Sequence, residues 1–530
     1  MASPAAAGLD RLLEGLRRPG CYPHPVGPIE ILETHISAVV LTGSFAYKLK
    51  KPVVLPFLDF GSLPKRAFYC TEELRLNRRT APQLYLDLVP ITGTEDEPNV
   101  AGSGPAIEYA VRMRQFSQEA LFDSMARRGA LLREHARSLA RSTAAFHARC
   151  PSADPSRASA TAQGVLRSVC QNIDELKPLV SEPAGRALLI ELGAWMHSEH
   201  ARLRHLIDER LRAGRVRECH GDLHLGNVAL IDGVPTEFDC IEFSEDLRWI
   251  DVSSETAFVF MDLLGHGLPR LAWAFCDAYL EQSGDYEGAA LLRLFAVHRA
   301  LIRAKVAGIR ALQTPSGGAE WARQRTRLEQ HLTLARTLTG RARRALVIMH
   351  GLSGSGKSTL AAELIEQRGC LRCRSDVERK RLHGMTPEAR STDVAMVYGP
   401  ESNERTYRRL AEIAELSVHS DYPMIVDAAF LRRSERDAFR ALAARLGVPF
   451  AIVSCAGAVE ALRERLAVRA ARGGDPSEAG AEVLERQLRF AEPLAPEELA
   501  CVVSIDTDGM QPGEAVPNRV AERLDRLLGS

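Results

Sequence analysis

Along the first third of the chain, apolar and polar positions alternate with the period of β-strands. Residues 29–50 are the clearest case, because two such runs flank the turn Thr42-Gly43-Ser44 and predict a hairpin. Residues 64–79 instead repeat apolar positions every three to four residues and predict a helix with a charged face. Further strands are predicted at 84–90 and 107–113. The pattern predicts a small antiparallel sheet with one packed helix.

From residue 114 the apolar period becomes mostly helical. Short strands interrupt the helices at 228–231 and 236–238. Helices are predicted at 119–148, 163–179 and 183–211, and in several segments between 252 and 310. A sheet with one helix, followed by a helix-rich remainder, predicts a two-lobed α+β domain.

Beyond residue 345 strands and helices alternate, which is typical of a doubly wound parallel sheet. The intervening residues contain a Pro-Ser-Gly-Gly turn, one charged helix and a basic run, with few positions that could form a core. We therefore expect an α+β domain at 1–311, a helical linker at 312–344 and an α/β domain at 345–530.

The composition of the chain limits which classes of protein it can belong to. The chain has 530 residues, too many for a single core, and its 45% apolar and 26% charged residues are ordinary for globular domains. Lys+Arg and Asp+Glu both total 68, so a polyanion site must be local. Eleven scattered cysteines favour reduced thiols, and the lone C-x-x-C of Cys370 and Cys373 has no second ligand pair for zinc. No stretch reaches membrane-spanning length, so we expect a soluble, cytoplasmic protein without membrane contact.

A phosphate-binding loop is the strongest motif in the second half. A predicted strand at 346–350 runs directly into this loop, and a helix follows it, which is the context that a P-loop requires. Its backbone N–H groups would surround phosphate oxygens, the lysine would reach the β- and γ-phosphates, and the serine hydroxyl after it would bind Mg²⁺. The residues predicted to bind ATP are Gly351, Leu352, Ser353, Gly354, Ser355, Gly356, Lys357, Ser358 and Thr359.

Two aspartates follow later strands of the same predicted sheet. Asp376 comes after the strand at 370–374, where it could orient or deprotonate an acceptor hydroxyl, or instead cap the next helix. Asp427 ends the strand at 423–426 and suits a magnesium role like that of a Walker-B aspartate. No glutamate follows Asp427, which argues against a hydrolytic motor.

A helix predicted at 460–472 places Arg465, Arg469 and Arg472 on one face. Such a row could close over phosphates as a lid, with Arg469 as a catalytic residue, or could be a solvated basic face.

These motifs together resemble a family of small P-loop kinases. The strings are G-L-S-G-S-G-K-S, R-S-D-V-E-R-K-R, I-V-D-A-A-F and R-L-A-V-R-A-A-R, followed by D-P-S-E-A. The resemblance is to the group that includes gluconate-kinase-like and polynucleotide-kinase-like proteins, and it covers roughly residues 345–507. It implies ATP binding and leaves the acceptor open.

The densest catalytic string of the first half is H-G-D-L-H-L-G-N at 220–227. Asp222 and Asn227 have the spacing of the kinase catalytic loop, in which the aspartate takes the acceptor proton and the asparagine holds a metal ion. Asp239, after the next short strand, is expected to be the second Mg²⁺ ligand. A transition-metal site built on His220 and His224 would need a helix, and the two glycines of the string argue against one.

A kinase fold also needs a strand lysine paired with a helix glutamate. Lys48 is in the expected strand position, and we pair it with Glu73. Lys50 has the same strand parity and Glu72 is adjacent to Glu73, so both remain alternatives, as does a solvated edge role for the lysines. The first turn reads Glu33-Thr34-His35 and lacks the glycine-rich loop of kinases.

These residues resemble the aminoglycoside phosphotransferase family across roughly residues 29–310, and the domain order resembles bacterial fusions of such a domain with a P-loop kinase. The resemblance implies a protein-kinase-like fold, ATP, Mg²⁺ and transfer to a hydroxyl group. We therefore expect a bifunctional phosphotransferase that acts on small-molecule hydroxyls. The alternatives are that one domain binds nucleotide only to regulate the other, or that the P-loop half phosphorylates nucleic acid ends, motivated by the basic run at 341–344.

Overall fold

The computed structural model describes residues 4–55, 58–391, 394–472, 476–508 and 518–529. In chain order the strands are β1 (Glu30–Glu33), β2 (Ser37–Leu41), β3 (Phe45–Lys50), β4 (Val54–Leu55), β5 (Leu58–Asp59), β6 (Tyr85–Gly93), β7 (Pro98–Val100), β8 (Ala106–Arg114), β9 (Val216–Glu218), β10 (Val228–Ile231), β11 (Val234–Glu237), β12 (Trp249–Asp251), β13 (Leu346–His350), β14 (Leu371–Arg374), β15 (Met424–Asp427), β16 (Phe450–Ala456) and β17 (Val502–Asp506).

In the same order the α-helices are α1 (Pro4–Gly15), α2 (Leu63–Asn77), α3 (Phe122–Arg127), α4 (Arg133–Arg149), α5 (Ala162–Leu176), α6 (Pro183–Arg212), α7 (Glu245–Arg248), α8 (Val252–Gly265), α9 (Pro269–Ser283), α10 (Ala289–Leu312), α11 (Ala319–Thr339), α12 (Lys357–Arg368), α13 (Ser375–Leu382), α14 (Val394–Tyr398), α15 (Pro400–His419), α16 (Arg433–Leu446), α17 (Val459–Arg472), α18 (Ala481–Phe490) and α19 (Asn518–Leu528). None of these helices is long and apolar enough to cross a membrane.

The chain forms two compact units, each made of several chain segments. The first contains the residues up to Leu131 together with Phe146–Arg167 and Arg204–Val259. The second contains Leu132–Ala145 and Ser168–Leu203, and it continues from Phe260 onward. The P-loop region therefore shares a compact unit with helices that precede it by a hundred residues or more. The boundary at 312–344 stays a prediction from the sequence.

The first unit is built around a six-stranded antiparallel sheet in the order β1-β2-β3-β8-β6-β7. Most residues of the strands β2 and β3 are buried, because both faces of the sheet are covered by hydrophobic clusters. One face packs against α2, whose Cys70 lies in a core cluster with Val111 and Met113 of β8. This packing places the face of β3 that carries Lys48 next to α2. The predicted α+β architecture is confirmed.

The second unit contains a five-stranded parallel sheet in the order β14-β15-β13-β16-β17. Its central strand β13 is flanked by β15 and β16, so the chain crosses over between the two sides of the sheet. Strands β13 and β15 are mostly apolar and buried, because helices cover both faces of such sheets. The predicted parallel α/β fold is confirmed.

Two elements differ from the sequence prediction. The single helix predicted at 119–148 is broken into α3 and α4, because Gly129 adopts a left-handed φ of 69° that ends α3. The charged helix α11, in which we expected little core, packs along α10 and buries Leu328 and Leu332. Its apolar positions are few but lie on one face.

Candidate active sites

The P-loop connects β13 to α12 in the second unit. Gly351, Gly354 and Gly356 adopt left-handed φ values of 137°, 84° and 78°. A Cβ atom at Gly351 would also lie 2.3 Å from the carbonyl oxygen of Cys455. These positions require glycine, and they leave the loop backbone open in front of the N-terminus of α12.

Lys357, the first residue of α12, folds back over this loop. Its Nζ donates to the carbonyl oxygen of Leu352 at 2.7 Å and lies 3.4 Å from Ser355 Oγ. Burial holds the pKa of Lys357 below its ordinary value, although the nearby Asp427 and Asp376 act in the opposite direction. The site therefore holds a desolvated cation that an anionic phosphate would stabilise.

A cleft of about 1380 Å³ opens in front of the P-loop. It brings together most of the site residues that the sequence singled out in this half. The predicted residues that line it are Ser353, Gly354, Gly356, Lys357, Ser358, Thr359, Asp376, Asp427 and Arg469. Such a volume can hold a nucleotide and a small acceptor together.

Asp376 and Asp427 have different surroundings in this cleft. Asp376 is the second residue of α13, and the cap position is occupied by Arg374, so the alternative capping role is not the one observed. Asp427 ends β15 and is buried, and its Oδ2 has no hydrogen-bond partner within the described residues. Its nearest cations are Arg372 Nη1 at 3.6 Å and Arg374 Nε at 3.7 Å.

This donor set fits a magnesium ion. Mg²⁺ prefers one or two protein oxygens together with phosphate oxygens and water. Asp427 offers a buried carboxylate oxygen without a hydrogen-bond partner, and Ser358 lines the same cleft with its hydroxyl group. These are the residues that would hold the ion.

The arginines of α17 are held by backbone atoms at the rim of the cleft. Arg465 donates to the carbonyl oxygen of Thr507 at 2.6 Å, and Arg469 donates to that of Ala479 at 2.6 Å. Both line the cleft, whereas the side chain of Arg472 lies outside the described residues. Two of the three predicted lid arginines therefore face the nucleotide side.

In the first unit, a network of buried charges surrounds Glu73 on α2. Its Oε1 accepts a hydrogen bond from Lys48 Nζ at 2.6 Å, and its Oε2 accepts one from Lys50 Nζ. Lys48 also contacts Asp239, and Lys50 also contacts Glu242. Burial by itself would raise the pKa of Glu73, but the two lysines lower it to about 2.

This geometry bears on the alternatives that the sequence left open. Glu73 binds both lysines, while the adjacent Glu72 binds Arg75 at the surface. Only Lys48 is also in contact with Asp239, the expected metal ligand. Lys50 is instead locked between two buried carboxylates. Sequence reasoning missed Glu242, although it lies three residues after Asp239 in the same string.

The catalytic-loop residues Asp222 and Asn227 lie side by side. Asn227 Nδ2 donates to the carbonyl oxygen of Asp222 at 2.9 Å and lies 3.3 Å from its Oδ2. The N–H of Phe238 donates to the carbonyl oxygen of Asn227 at 3.0 Å, which brings Asp239 beside the loop. Asp239 has a left-handed φ of 67°, which is rare for a residue with a side chain.

A buried carboxylate on α8, Glu255, anchors the catalytic loop. It accepts the backbone N–H of His220 at 2.9 Å and that of Gly221 at 2.6 Å, and His147 Nε2 lies 3.1 Å away. Burial by itself would raise the pKa of Glu255, but His147 and the contacts with His220 lower it to about 2. Sequence reasoning missed Glu255, because no local pattern connects it to a loop more than thirty residues earlier.

The ligand atoms of His147, Cys219 and Glu255 lie within 4.8 Å of one another, a distance that a metal ion could bridge. The Glu255 carboxylate is already occupied by loop amides, and burial raises the pKa of the Cys219 thiol, which disfavours the thiolate that a metal requires. We therefore interpret the group as the loop anchor. The His220 and His224 rings do not converge on a metal site either, since they contact Phe238 and Gly226 respectively.

Comparison with known proteins supports the description of the P-loop half. The family model AAA_33, an AAA domain, matches residues 346–494, which confirms the predicted P-loop domain. Among solved structures, the chain is similar to a gluconokinase from Sinorhizobium meliloti 1021, with 23% identity, 36% of this chain and 92% of that chain covered, and a TM-score of 0.23. It is also similar to a choline/ethanolamine kinase family protein from Mesorhizobium loti, with 11% identity, 59% and 93% covered, and a TM-score of 0.32.

A full-length relative extends the similarity to nearly the whole chain. The uncharacterized protein Rv2004c of Mycobacterium tuberculosis (strain ATCC 25618 / H37Rv) is 30% identical over 481 residues, which are 87% of this chain and 91% of that protein. The chain therefore belongs to the same protein family as Rv2004c.

Proposed function

We propose that this protein is a bifunctional phosphotransferase, with two sites that each bind ATP and Mg²⁺ and transfer a phosphoryl group to the hydroxyl group of a small molecule. The observation that carries the proposal is the P-loop cleft. It combines the buried cation of Lys357, a carboxylate oxygen of Asp427 without a hydrogen-bond partner, and Asp376 at the acceptor side.

In the P-loop site, Asp376 accepts the proton of the acceptor hydroxyl while the oxygen of that hydroxyl bonds to the γ-phosphorus of ATP. The bond from that phosphorus to the β–γ bridging oxygen breaks, and ADP leaves with the electron pair. Lys357 and Arg469 neutralise the phosphate charge. Ser358 and Asp427 would hold Mg²⁺, which would supply further charge neutralisation.

In the first unit, Asp222 takes the same role as the base. Lys48, oriented by Glu73, binds phosphate oxygens, and Asn227 and Asp239 would hold Mg²⁺ through their side-chain oxygens. The chemistry of this donor set fits the ion, because it supplies one carboxylate and one amide oxygen next to the base.

A competing function for the first unit is regulation by bound nucleotide without turnover. It is favoured by the turn Glu33-Thr34-His35, which offers no glycine-rich loop over the phosphates. The nucleic acid alternative for the P-loop half is weaker. Two arginines of the basic run, Arg341 and Arg344, lie 3.5 and 4.0 Å from Asp421 and are partly neutralised by it.

The test is a screen of hydroxyl-bearing metabolites for ATP-dependent phosphorylation by the full chain, followed by mass spectrometry. The parent is compared with Lys357→Ala, with Asp222→Asn and with the double variant. We expect each single variant to lose a different product and the double variant to lose both. Loss of every product in Lys357→Ala alone would support the regulatory function of the first unit. A parent without any phosphorylated product would contradict the proposal.

A further inference from the structure

Strand β14 places two buried arginines beside the expected magnesium ligands of the P-loop site. Arg372 Nη1 lies 3.6 Å from Asp427 Oδ2 and donates to the carbonyl oxygen of Ser358 at 3.2 Å. Arg374 Nε lies 3.7 Å from the same oxygen of Asp427. The guanidinium group of Arg372 thus lies between the Asp427 carboxylate and the backbone carbonyl of Ser358.

These arginines pose a problem for metal binding. A buried guanidinium without a partner is costly and forms a two-point hydrogen-bonded pair with the nearest carboxylate. If Asp427 became that partner, its oxygen atoms would be engaged by Arg372 or Arg374. Asp427 could then no longer serve a magnesium ion.

Helix α9 supplies the carboxylates that prevent this. Asp277 binds the fork of Arg372 at two points, with Nε at 3.0 Å from Oδ1 and Nη2 at 2.7 Å from Oδ2. Glu281 accepts hydrogen bonds from Arg374 Nη1 at 3.1 Å and from Arg372 Nη2 at 3.2 Å. Helix α9 thereby accepts hydrogen bonds from both guanidinium groups, and Asp427 Oδ2 has no hydrogen-bond partner among the described residues.

The position of α9 is fixed by packing within the same compact unit. It lies against the P-loop helix α12, and its Trp273 joins the hydrophobic core of the parallel sheet. Arg270 at its start binds Glu363 of α12 at 2.5 Å. The helix precedes the segment at 346–494 that the AAA domain family matches.

We propose that Asp277 and Glu281 are positioning residues for the P-loop site, which accept the hydrogen bonds of Arg372 and Arg374, so that Asp427 Oδ2 receives none and that carboxylate stays available to Mg²⁺. This inference rests on the proposed function of the P-loop site. It makes the magnesium affinity of a kinase domain dependent on a helix that is encoded outside that domain.

The test measures nucleotide binding rather than turnover. ADP is titrated, with and without Mg²⁺, into the full chain that carries Lys48→Met, which removes the phosphate-binding ammonium of the other site. In this background we expect Glu281→Gln to leave the ADP affinity without Mg²⁺ unchanged. The factor by which Mg²⁺ raises the ADP affinity, called the Mg²⁺ gain, should fall by about 10- to 100-fold, as for other residues that orient metal ligands. Glu281→Asp keeps the charge but shortens the side chain, and we expect it to reduce the effect of Mg²⁺ in the same direction. It replaces Glu281→Gln in the test if the glutamine variant does not fold.

Two further variants separate positioning from general damage. Glu281→Gln with Arg374→Gln removes the competing cation as well, and should restore the Mg²⁺ gain. Glu498→Gln breaks another buried pair, with Arg436 Nε at 2.7 Å, and should lower stability while leaving the Mg²⁺ gain unchanged. A folded Glu281 variant with the full gain would overturn this inference alone. A parent without any gain from Mg²⁺ would overturn the magnesium site itself.

Discussion

Replacing Glu255 with glutamine tests how the catalytic loop of the first unit is held. Glu255 accepts the N–H groups of His220 and Gly221, and it has a pKa of about 2 in place of its ordinary 4.5. At about 1.36 kcal/mol per pKa unit, that difference corresponds to about 3 kcal/mol of stability at neutral pH. Glutamine keeps one acceptor oxygen but turns its NH₂ group toward a loop amide. We therefore expect Glu255→Gln to lower the free energy of unfolding by about 2–4 kcal/mol.

The assay is hydrogen–deuterium exchange of the peptide that contains residues 219–223, combined with urea unfolding at several pH values. At pH 7 the loop amides of Glu255→Gln should exchange faster by the factor that this free energy predicts. The pH dependence has a defined sign. Because the pKa of Glu255 is lowered on folding, its contribution is complete above about pH 4.5 and is lost as the pH falls toward about 2. By pH 3.5 about 1 kcal/mol of that contribution should be gone, so the stabilities of parent and variant should begin to converge.

Glu108→Gln is the matched control, because it weakens another buried carboxylate of the same unit, bound to Arg66 at 2.8 Å. It should reduce stability without faster exchange at residues 219–223 relative to the rest of the unit. Unchanged loop exchange in Glu255→Gln, or a stability difference that does not shrink between pH 5 and pH 3.5, would refute the anchoring role.

Three further predictions concern the proposed chemistry in the full chain. Lys357→Ala should lower the turnover of the P-loop site by at least about 10²-fold while the melting temperature stays unchanged, since its ammonium donates both of its hydrogen bonds among the described residues to the loop. Asp376→Asn should reduce that turnover by about 10²–10⁴-fold with ADP affinity intact, which a binding titration alongside the rate would check. In the other site, Asp222→Asn should keep Mg²⁺-dependent nucleotide binding and lose turnover, whereas Asp239→Asn should lose the Mg²⁺ dependence of binding. Equal behaviour of these last two variants would contradict their division of roles.

The local pattern of the sequence predicts most of the fold, because the apolar positions of most strands and helices repeat with the period of that element. The buried strand β13, the glycine loop after it and the helix α12 are specified within some twenty residues. The break between α3 and α4 was missed because a single glycine in a helical pattern does not reveal its backbone conformation. The burial of α11 depends on its packing against α10, which cannot be inferred from the sequence of α11 alone.

The residues of the candidate sites also divide into those that a local motif predicts and those that it does not. Motif spacing predicts roles for Lys357, Asp222 and Asp239, because such roles belong to short strings with a fixed geometry. The residues that support them lie far away in the chain. Glu255 binds a loop thirty-five positions earlier, and Asp277 binds Arg372 across ninety-five positions. Such pairs form through tertiary packing alone, so a single sequence contains no periodicity or spacing from which to infer them.

The most direct test of two nucleotide sites in one chain is the stoichiometry of binding. Titration of ADP into the full chain in the presence of Mg²⁺, followed by isothermal calorimetry, counts the sites without knowledge of either acceptor. We expect two ADP molecules per parent chain, one in Lys357→Ala, one in Lys48→Met and none in the double variant. A parent that binds one ADP, and that loses it entirely in Lys357→Ala, would contradict the presence of two nucleotide sites.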